Sequence, residues 1–131
     1  MMLTNVAIHP SLPAADLGRA KTWYAEKLGF TPAWEDEGML LYRSGASIFT
    51  VYETPSAGTA KNTAAVWQVE NLDREMQELR ARGVVFADYD MEDFKTTAGV
   101  HVYEDGSKTA WFLDSEGNTL NLTQLPAGWT L

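Results

Sequence analysis

Apolar residues follow two rhythms along this chain, and each change of rhythm marks an element. From Leu17 onward they fall at Leu17, Ala20, Tyr24 and Leu28, the spacing of one face of an amphipathic helix. Asp16 stands where an N-cap is needed, and Gly29 where a left-handed residue can end the helix. Leu72, Met76 and Leu79 repeat the pattern over Leu72–Arg82, with Asn71 as cap and Gly83 as stop. Arg80 and Arg82 suit the negative end of that helix's dipole. Elsewhere the segments are β-branched, aromatic or alternating. Met39–Arg43 and Ser47–Glu53 flank a hairpin turn at Ser44-Gly45, with Thr31–Glu35 pairing ahead of them. Beyond the small-residue linker Pro55–Asn62 come the strand Thr63–Val69, the second helix and the strand Val84–Asp88. Met91–Ala98 reads as a polar insertion and Val100–Glu104 as a short strand. Thr109–Leu113 and Asn118–Gln124 then form a hairpin around Asp114-Ser115-Glu116-Gly117.

The order is strand, helix, three strands, and then the same again. One fixed offset carries Asp16 onto Asn71, Leu17 onto Leu72 and Arg19 onto Arg74. It also carries His9 onto Ala64, so the repeat keeps its framework and loses a candidate ligand. Leu120 and Leu122 need a buried face against a helix, which turns Thr119, Asn121 and Thr123 the other way. Phe49 and Val51 likewise leave Ile48, Thr50 and Tyr52 on the opposite face. In the fifth strand Ala65, Trp67 and Val69 face the helix, leaving Ala64, Val66 and Gln68 inward.

Composition narrows the function more than the fold. A chain of 131 residues, 45% hydrophobic and 21% charged, fits one globular domain with a real core. The net charge of −8 argues against nucleic acid and anionic membrane, whose phosphates need clustered Lys and Arg. Glu35-Asp36-Glu37 and the run from Asp88 to Asp93 read as solvated loops without calcium-loop spacing. No apolar run is long enough to span a bilayer, and Met1–Pro13 lacks the pattern of a signal peptide. Zero cysteines exclude thiolate chemistry and agree with a cytoplasmic location. Phosphate-loop and serine-nucleophile motifs are missing.

Several short segments resemble the vicinal oxygen chelate superfamily of glyoxalases, extradiol dioxygenases and bleomycin-resistance proteins. The carriers are His9 ahead of Asp16-Leu17, then Lys21-Thr22-Trp23-Tyr24 leading to Leu28-Gly29-Phe30. In the second half they are Val66–Leu72 and the hairpin Phe112-Leu113-Asp114-Ser115-Glu116-Gly117-Asn118. The resemblance covers nearly all of the chain. It implies an α+β fold of two βαβββ modules, about 3–54 and 63–125, whose mixed sheet curls around a cavity with helices outside. Metal-using members carry one ligand on the first and last strand of each module, and those positions fall here on His9, Thr50, Ala64 and Asn121. Glu53 lies close enough in sequence to compete with Thr50. One imidazole, a hydroxyl, a methyl and a carboxamide are a poor match to the three His or carboxylate ligands of an open metal site. The expectation is therefore no metal and no cofactor.

What remains is a pocket. Trp34, Tyr42, Tyr52, Trp111 and Phe112 lie on strands, and Ile48, Thr50, Gln68, Asn121 and His9 supply other wall positions. An aromatic wall with a few polar groups describes a site for a planar, mostly apolar small molecule. The alternative is a glyoxalase- or dioxygenase-like lyase or isomerase using a divalent metal or His9 as general base. His101 is expected as a strand-surface residue. Pairing of two chains into a homodimer would cover exposed sheet edges.

Overall fold

Asp16 and Asn71 both cap as their positions predict: each side chain accepts from the amide three residues on, Arg19 N at 2.9 Å and Arg74 N at 3.0 Å. The structure, a computed structural model, describes residues 2–129. Its first helix α1 spans Leu17–Trp23 and continues as a π-helical turn over Tyr24–Leu28, closed by Gly29 at φ 79°. The second, α2, spans Leu72–Ala81. Strands β1 (Ser11–Ala14), β2 (Trp34–Glu35), β3 (Met39–Ser44) and β4 (Ser47–Glu53) form one sheet in the order β1-β4-β3-β2. In chain order β5 is Thr63–Gln68, β6 Asp90–Met91, β7 Phe94–Lys95, β8 His101–Val102, β9 Lys108–Leu113 and β10 Thr119–Gln124. The second sheet runs β5-β10-β9-β8, while β6 and β7 pair apart as a small hairpin. Within each four-stranded sheet the outer strand β1 or β5 is parallel to its neighbour and the other pairs are antiparallel. The expected α+β architecture of two βαβββ modules is the one observed.

Two expected strands shrink. Thr31–Glu35 pairs only at Trp34–Glu35, and Val84–Asp88 makes a single bridge, Phe86 to Phe112. The polar insertion is the β6–β7 hairpin. In the tail, Trp129 is 62% exposed, and Thr130 and Leu131 lie outside the described residues.

Strand alternation divides each sheet as the sequence requires. Leu12, Leu40, Phe49 and Val51 point to the helix side of the first sheet, and Ala110, Phe112, Leu120 and Leu122 to that of the second. They form one buried cluster with Tyr24, Leu72 and Met76. Rings cross between the modules: Trp23 stacks on Phe112 with centroids 6.4 Å apart, and Phe30 on Trp67 at 6.1 Å.

A polar lock at the β9–β10 turn holds the modules together. The Glu116 carboxylate accepts from the amides of Ala15 and Asp16, each at 3.0 Å, from Arg19 Nε at 2.8 Å and from Ser115 Oγ at 2.7 Å. Asp114 accepts from the Tyr24 hydroxyl at 2.6 Å and from Asn118 Nδ2 at 2.8 Å. Burial pushes the Glu116 carboxyl up, but the bonds from Arg19, Ser115 and the Asp16 amide outweigh it and hold the group at about 2. Asn118 Nδ2 also reaches the Pro13 carbonyl at 2.9 Å, so the turn grips both β1 and the start of α1.

Candidate functional site

The hairpin register decides which side chains can meet. Gly45, at φ 58°, makes the tight β3–β4 turn and pairs Ser44 with Ser47. That register lines Trp34, Leu41, Thr50 and Ser11 across the open face of the first sheet. In the second sheet Trp111, Asn121 and Val66 form one row, and His101, Thr109, Thr123 and Gln68 the next.

Between the β3–β4 turn and β5 the modules leave a cleft of about 420 Å³. Ile48 and Phe49 line it from one side, and Ala65, Val66, Trp67 and Gln68 from the other. Pro10 and the turn residues Ser44, Gly45 and Ser47 complete it. Trp67 Nε1 donates to Ser44 Oγ at 3.0 Å, which satisfies the indole and fixes one wall. The remaining polar groups are few, as in a pocket that binds mainly by apolar contact and orients its ligand by hydrogen bonds.

Only part of the expected site meets here. Ile48 and Gln68 line the cleft. Trp34, 51% exposed, and Tyr52 stand on the first open face away from it. Trp111 is half-buried on the second, its Nε1 donating to Thr63 Oγ1 at 3.0 Å. Tyr42 and Phe112 do not line this cleft or the open faces. Both are buried on the helix side, Tyr42 stacked on Phe49 at 4.9 Å and Phe112 beneath Trp23. The register explains the correction, since Tyr42 pairs with Phe49 and must share its face. The Tyr42 hydroxyl has no hydrogen-bond partner, and desolvation followed by the Glu35 charge pushes it up to about 12. His101 is no plain surface residue either, because it stacks on Phe94. The sequence reading missed Pro10, Ser44, Ser47, Phe49 and Trp67 as cleft residues. The predicted turn was the signal that could have placed the two serines.

The four inherited ligand positions can be tested as a donor set. Thr50 lies on the open face, and its hydroxyl donates to Ser11 Oγ at 2.9 Å. Glu53 has the opposite parity and pairs with Ala14, so it does not replace Thr50. Asn121 is buried with both ends of its amide engaged, Nδ2 donating to Thr109 and Oδ1 accepting from Thr123. Ala64 brings no donor atom. His9 is exposed in the segment before β1. His9 and Ala64 fall two residues upstream of Ser11 and Val66, the direct cross-strand partners of Thr50 and Asn121. The cleft that Ala64 lines contains none of the other three. Such a set does not fit a divalent ion, and among the described residues no three His, Cys, Asp or Glu side chains gather closely enough to hold one.

Paired βαβββ modules with helices on one side define the structural class of this chain. Residues 7–122 match the profile of the Glyoxalase/Bleomycin resistance protein/Dioxygenase superfamily, and the chain belongs to that family. No curated protein sequence matches it. Among solved structures, lactoylglutathione lyase from Agrobacterium tumefaciens superposes with a TM-score of 0.71 at 12% identity, over 94% of this chain and 96% of that one. A glyoxalase/bleomycin resistance protein from Catenulispora acidiphila gives 0.68 at 21%, over 93% and 100%. A bleomycin-binding protein complexed with bleomycin gives 0.69 at 20%, over 90% and 97%. At such identities the likeness speaks for the fold alone. Among the described residues no helix is long and apolar enough to cross a membrane.

Proposed function

We propose that this chain binds a small, planar, mostly apolar organic molecule without a metal ion, in the cleft between its modules. The observation that carries the reading is the cleft itself. At about 420 Å³ it has the size of a small-molecule pocket, with Ile48, Phe49, Val66 and Trp67 for contact and Gln68 and Ser47 for orientation. A relative of the same fold that holds bleomycin supports the same direction. The enzymatic alternative is weaker. His9 is exposed and makes no part of the cleft, and the inherited ligand positions lack the donors for metal chemistry.

The working unit in this reading is a homodimer. Trp34 at 51%, Val66 at 59% and Ile8 at 94% exposure leave large apolar side chains in water on and beside the open faces. A second copy is the commonest cover for such a surface.

A thermal-shift screen of planar aromatic compounds tests the binding. A true ligand raises the melting temperature with the logarithm of its concentration once that exceeds Kd and quenches tryptophan emission saturably. Gln68→Trp, which fills the cleft from an exposed strand position, should abolish both effects. A library without a single responder, or a response that Gln68→Trp leaves unchanged, refutes the proposal.

A further inference from the structure

The second open face carries a feature with no counterpart in the first. Residues 88–99 leave the sheet, form the β6–β7 hairpin and fold back over Trp111 and His101. Phe94 stacks on His101 with centroids 4.1 Å apart and planes 25° from parallel. The same ring meets Trp111 at 5.4 Å and 66°, close to edge-on. Tyr89 closes the group, 5.6 Å from Trp111 and 5.9 Å from Phe94. His101 is held by its Nδ1, 2.7 Å from the Lys95 carbonyl oxygen; a carbonyl only accepts, so that nitrogen carries the proton.

Phe94 therefore makes the contacts that a planar aromatic ligand would make, one face stacked and one edge-on. The element that delivers it is lightly held. The hairpin has two residue pairs, Asp90 with Lys95 and Met91 with Phe94, and an isolated two-stranded hairpin is marginal in water. Its base is firm by contrast. Asp88 accepts from Thr96 Oγ1 at 2.8 Å and from the Gly99 amide at 2.7 Å, while Ala98 and Gly99 turn left-handed at φ 51° and 82°. Beside the Phe94–His101 stack lies an open space of about 460 Å³, lined also by Glu92, Asp93, Lys95 and Val100. Glu92 and Asp93 set two carboxylates against the single ammonium of Lys95 there, so the space carries net negative charge.

We propose that Tyr89, His101 and Trp111 form a second binding slot, for a planar aromatic group that is uncharged or cationic, and that Phe94 plugs it when no ligand is present. The proposal rests on the reading that the chain binds planar organic molecules, but it assigns a different place from the β5 cleft. A ligand enters when residues 90–96 swing away from Tyr89, breaking the bonds between Tyr89 and Thr96 while the Asp88–Gly99 bond holds the foot of the loop. The ligand's cationic end then meets Glu92 and Asp93. A plugged slot is taxed: if it stands open one tenth of the time, it binds about tenfold more weakly than a permanently open one.

The test uses thioflavin T, a planar cation, with anilinonaphthalene sulfonate as the anionic comparison. Phe94→Ala should bind thioflavin T about tenfold or more tightly than the parent, with a smaller gain for the anion. Adding Trp111→Leu should remove the gain, and adding Gln68→Trp should leave it intact, which separates this slot from the cleft. A folded Phe94→Ala that binds no better overturns the proposal whatever the cleft does, as does a gain that survives the loss of Trp111. Should the variant fail to fold, hydrogen exchange on the parent decides. The Thr96 amide bonds to the Tyr89 carbonyl at 2.9 Å, and the Tyr89 amide to Thr96 Oγ1 at 2.8 Å. Both must exchange by a local opening that leaves β9 and β10 protected. Exchange only on global unfolding refutes the swing.

Discussion

Replacing Glu116 by Gln tests whether a single carboxylate couples the two modules. The side chain is fully enclosed, whereas that of its partner Arg19 is 54% exposed. One carboxylate oxygen takes the Ala15 and Asp16 amides and Arg19 Nη2, and the other takes Arg19 Nε and Ser115 Oγ. Every group facing it is a donor. Glutamine keeps one acceptor oxygen and turns an NH₂ toward the remaining donors, so at least two charge-assisted bonds go and a buried donor is left unmatched. At about 1.5–3 kcal/mol per bond to a charged group, with the half-exposed ion pair itself discounted to about 1 kcal/mol or less, the loss comes to about 2–4 kcal/mol. Arg19→Ala should cost clearly less, because the amides and Ser115 still hold the carboxylate. Urea denaturation followed by circular dichroism at neutral pH measures both. The acid limb gives a second check. The Glu116 carboxyl is held below its ordinary value of 4.5, at about 2, so its stabilisation is complete above the ordinary value and fades as pH falls through that window. The gap between parent and Glu116→Gln must therefore close between those two values. A variant no worse than Arg19→Ala, or a gap constant down to pH 2, refutes the view that the buried carboxylate supplies the coupling.

Two further outcomes follow from groups left unfinished inside and outside the core. Tyr42→Phe removes a buried hydroxyl without a partner and should leave stability within about 0.5 kcal/mol of the parent or raise it; a loss above about 1 kcal/mol in urea denaturation would show that the hydroxyl is bonded after all. Light scattering at micromolar concentration should give twice the 14.5 kDa chain mass, and a monomer mass would contradict the proposed dimer.

The helices were legible because their signals are local. Asp16, Gly29, Asn71 and Gly83 each sit beside a run of helical period, and capping needs no knowledge of the rest of the chain. The open-face positions of Thr50 and Asn121 were legible for a related reason: alternation fixes the face once one side is known to be buried. Tyr42 and Phe112 depart from expectation because an aromatic residue on a strand suits a pocket wall and a core equally until the hairpin register assigns its face. Pairing Ser44 with Ser47 puts Tyr42 opposite Phe49 and settles its face without any structure. The cleft itself was out of reach, since it depends on how one module's turn meets the other's β5. The same holds for the Phe94 contacts. Composition marked residues 91–98 as polar, and periodicity cannot say that one ring among the acids folds back on Trp111.

That insertion also breaks the symmetry of the repeat, with a consequence for assembly. The turn and hairpin over residues 88–99 cover the Trp111 end of its row, and Asn121 in that row is only 3% exposed. The matching row of the first sheet has no such cover: Trp34 stands 51% exposed at its end, with half-buried Leu41 and Thr50 beside it. Apolar surface of this kind is stabilised by whatever removes it from water, and, Val66 and Leu113 apart at 59% and 60% exposure, the second module has met that need within its own chain. The first module has not. A second copy in the proposed dimer would therefore be expected on the face carrying Trp34 rather than on the one carrying Trp111. Trp34→Glu should then weaken association, while Phe94→Ala, which uncovers the other face, should leave the dimer mass unchanged in the same light-scattering measurement. Loss of the dimer on Phe94→Ala alone would place the contact on the wrong module and undo the argument.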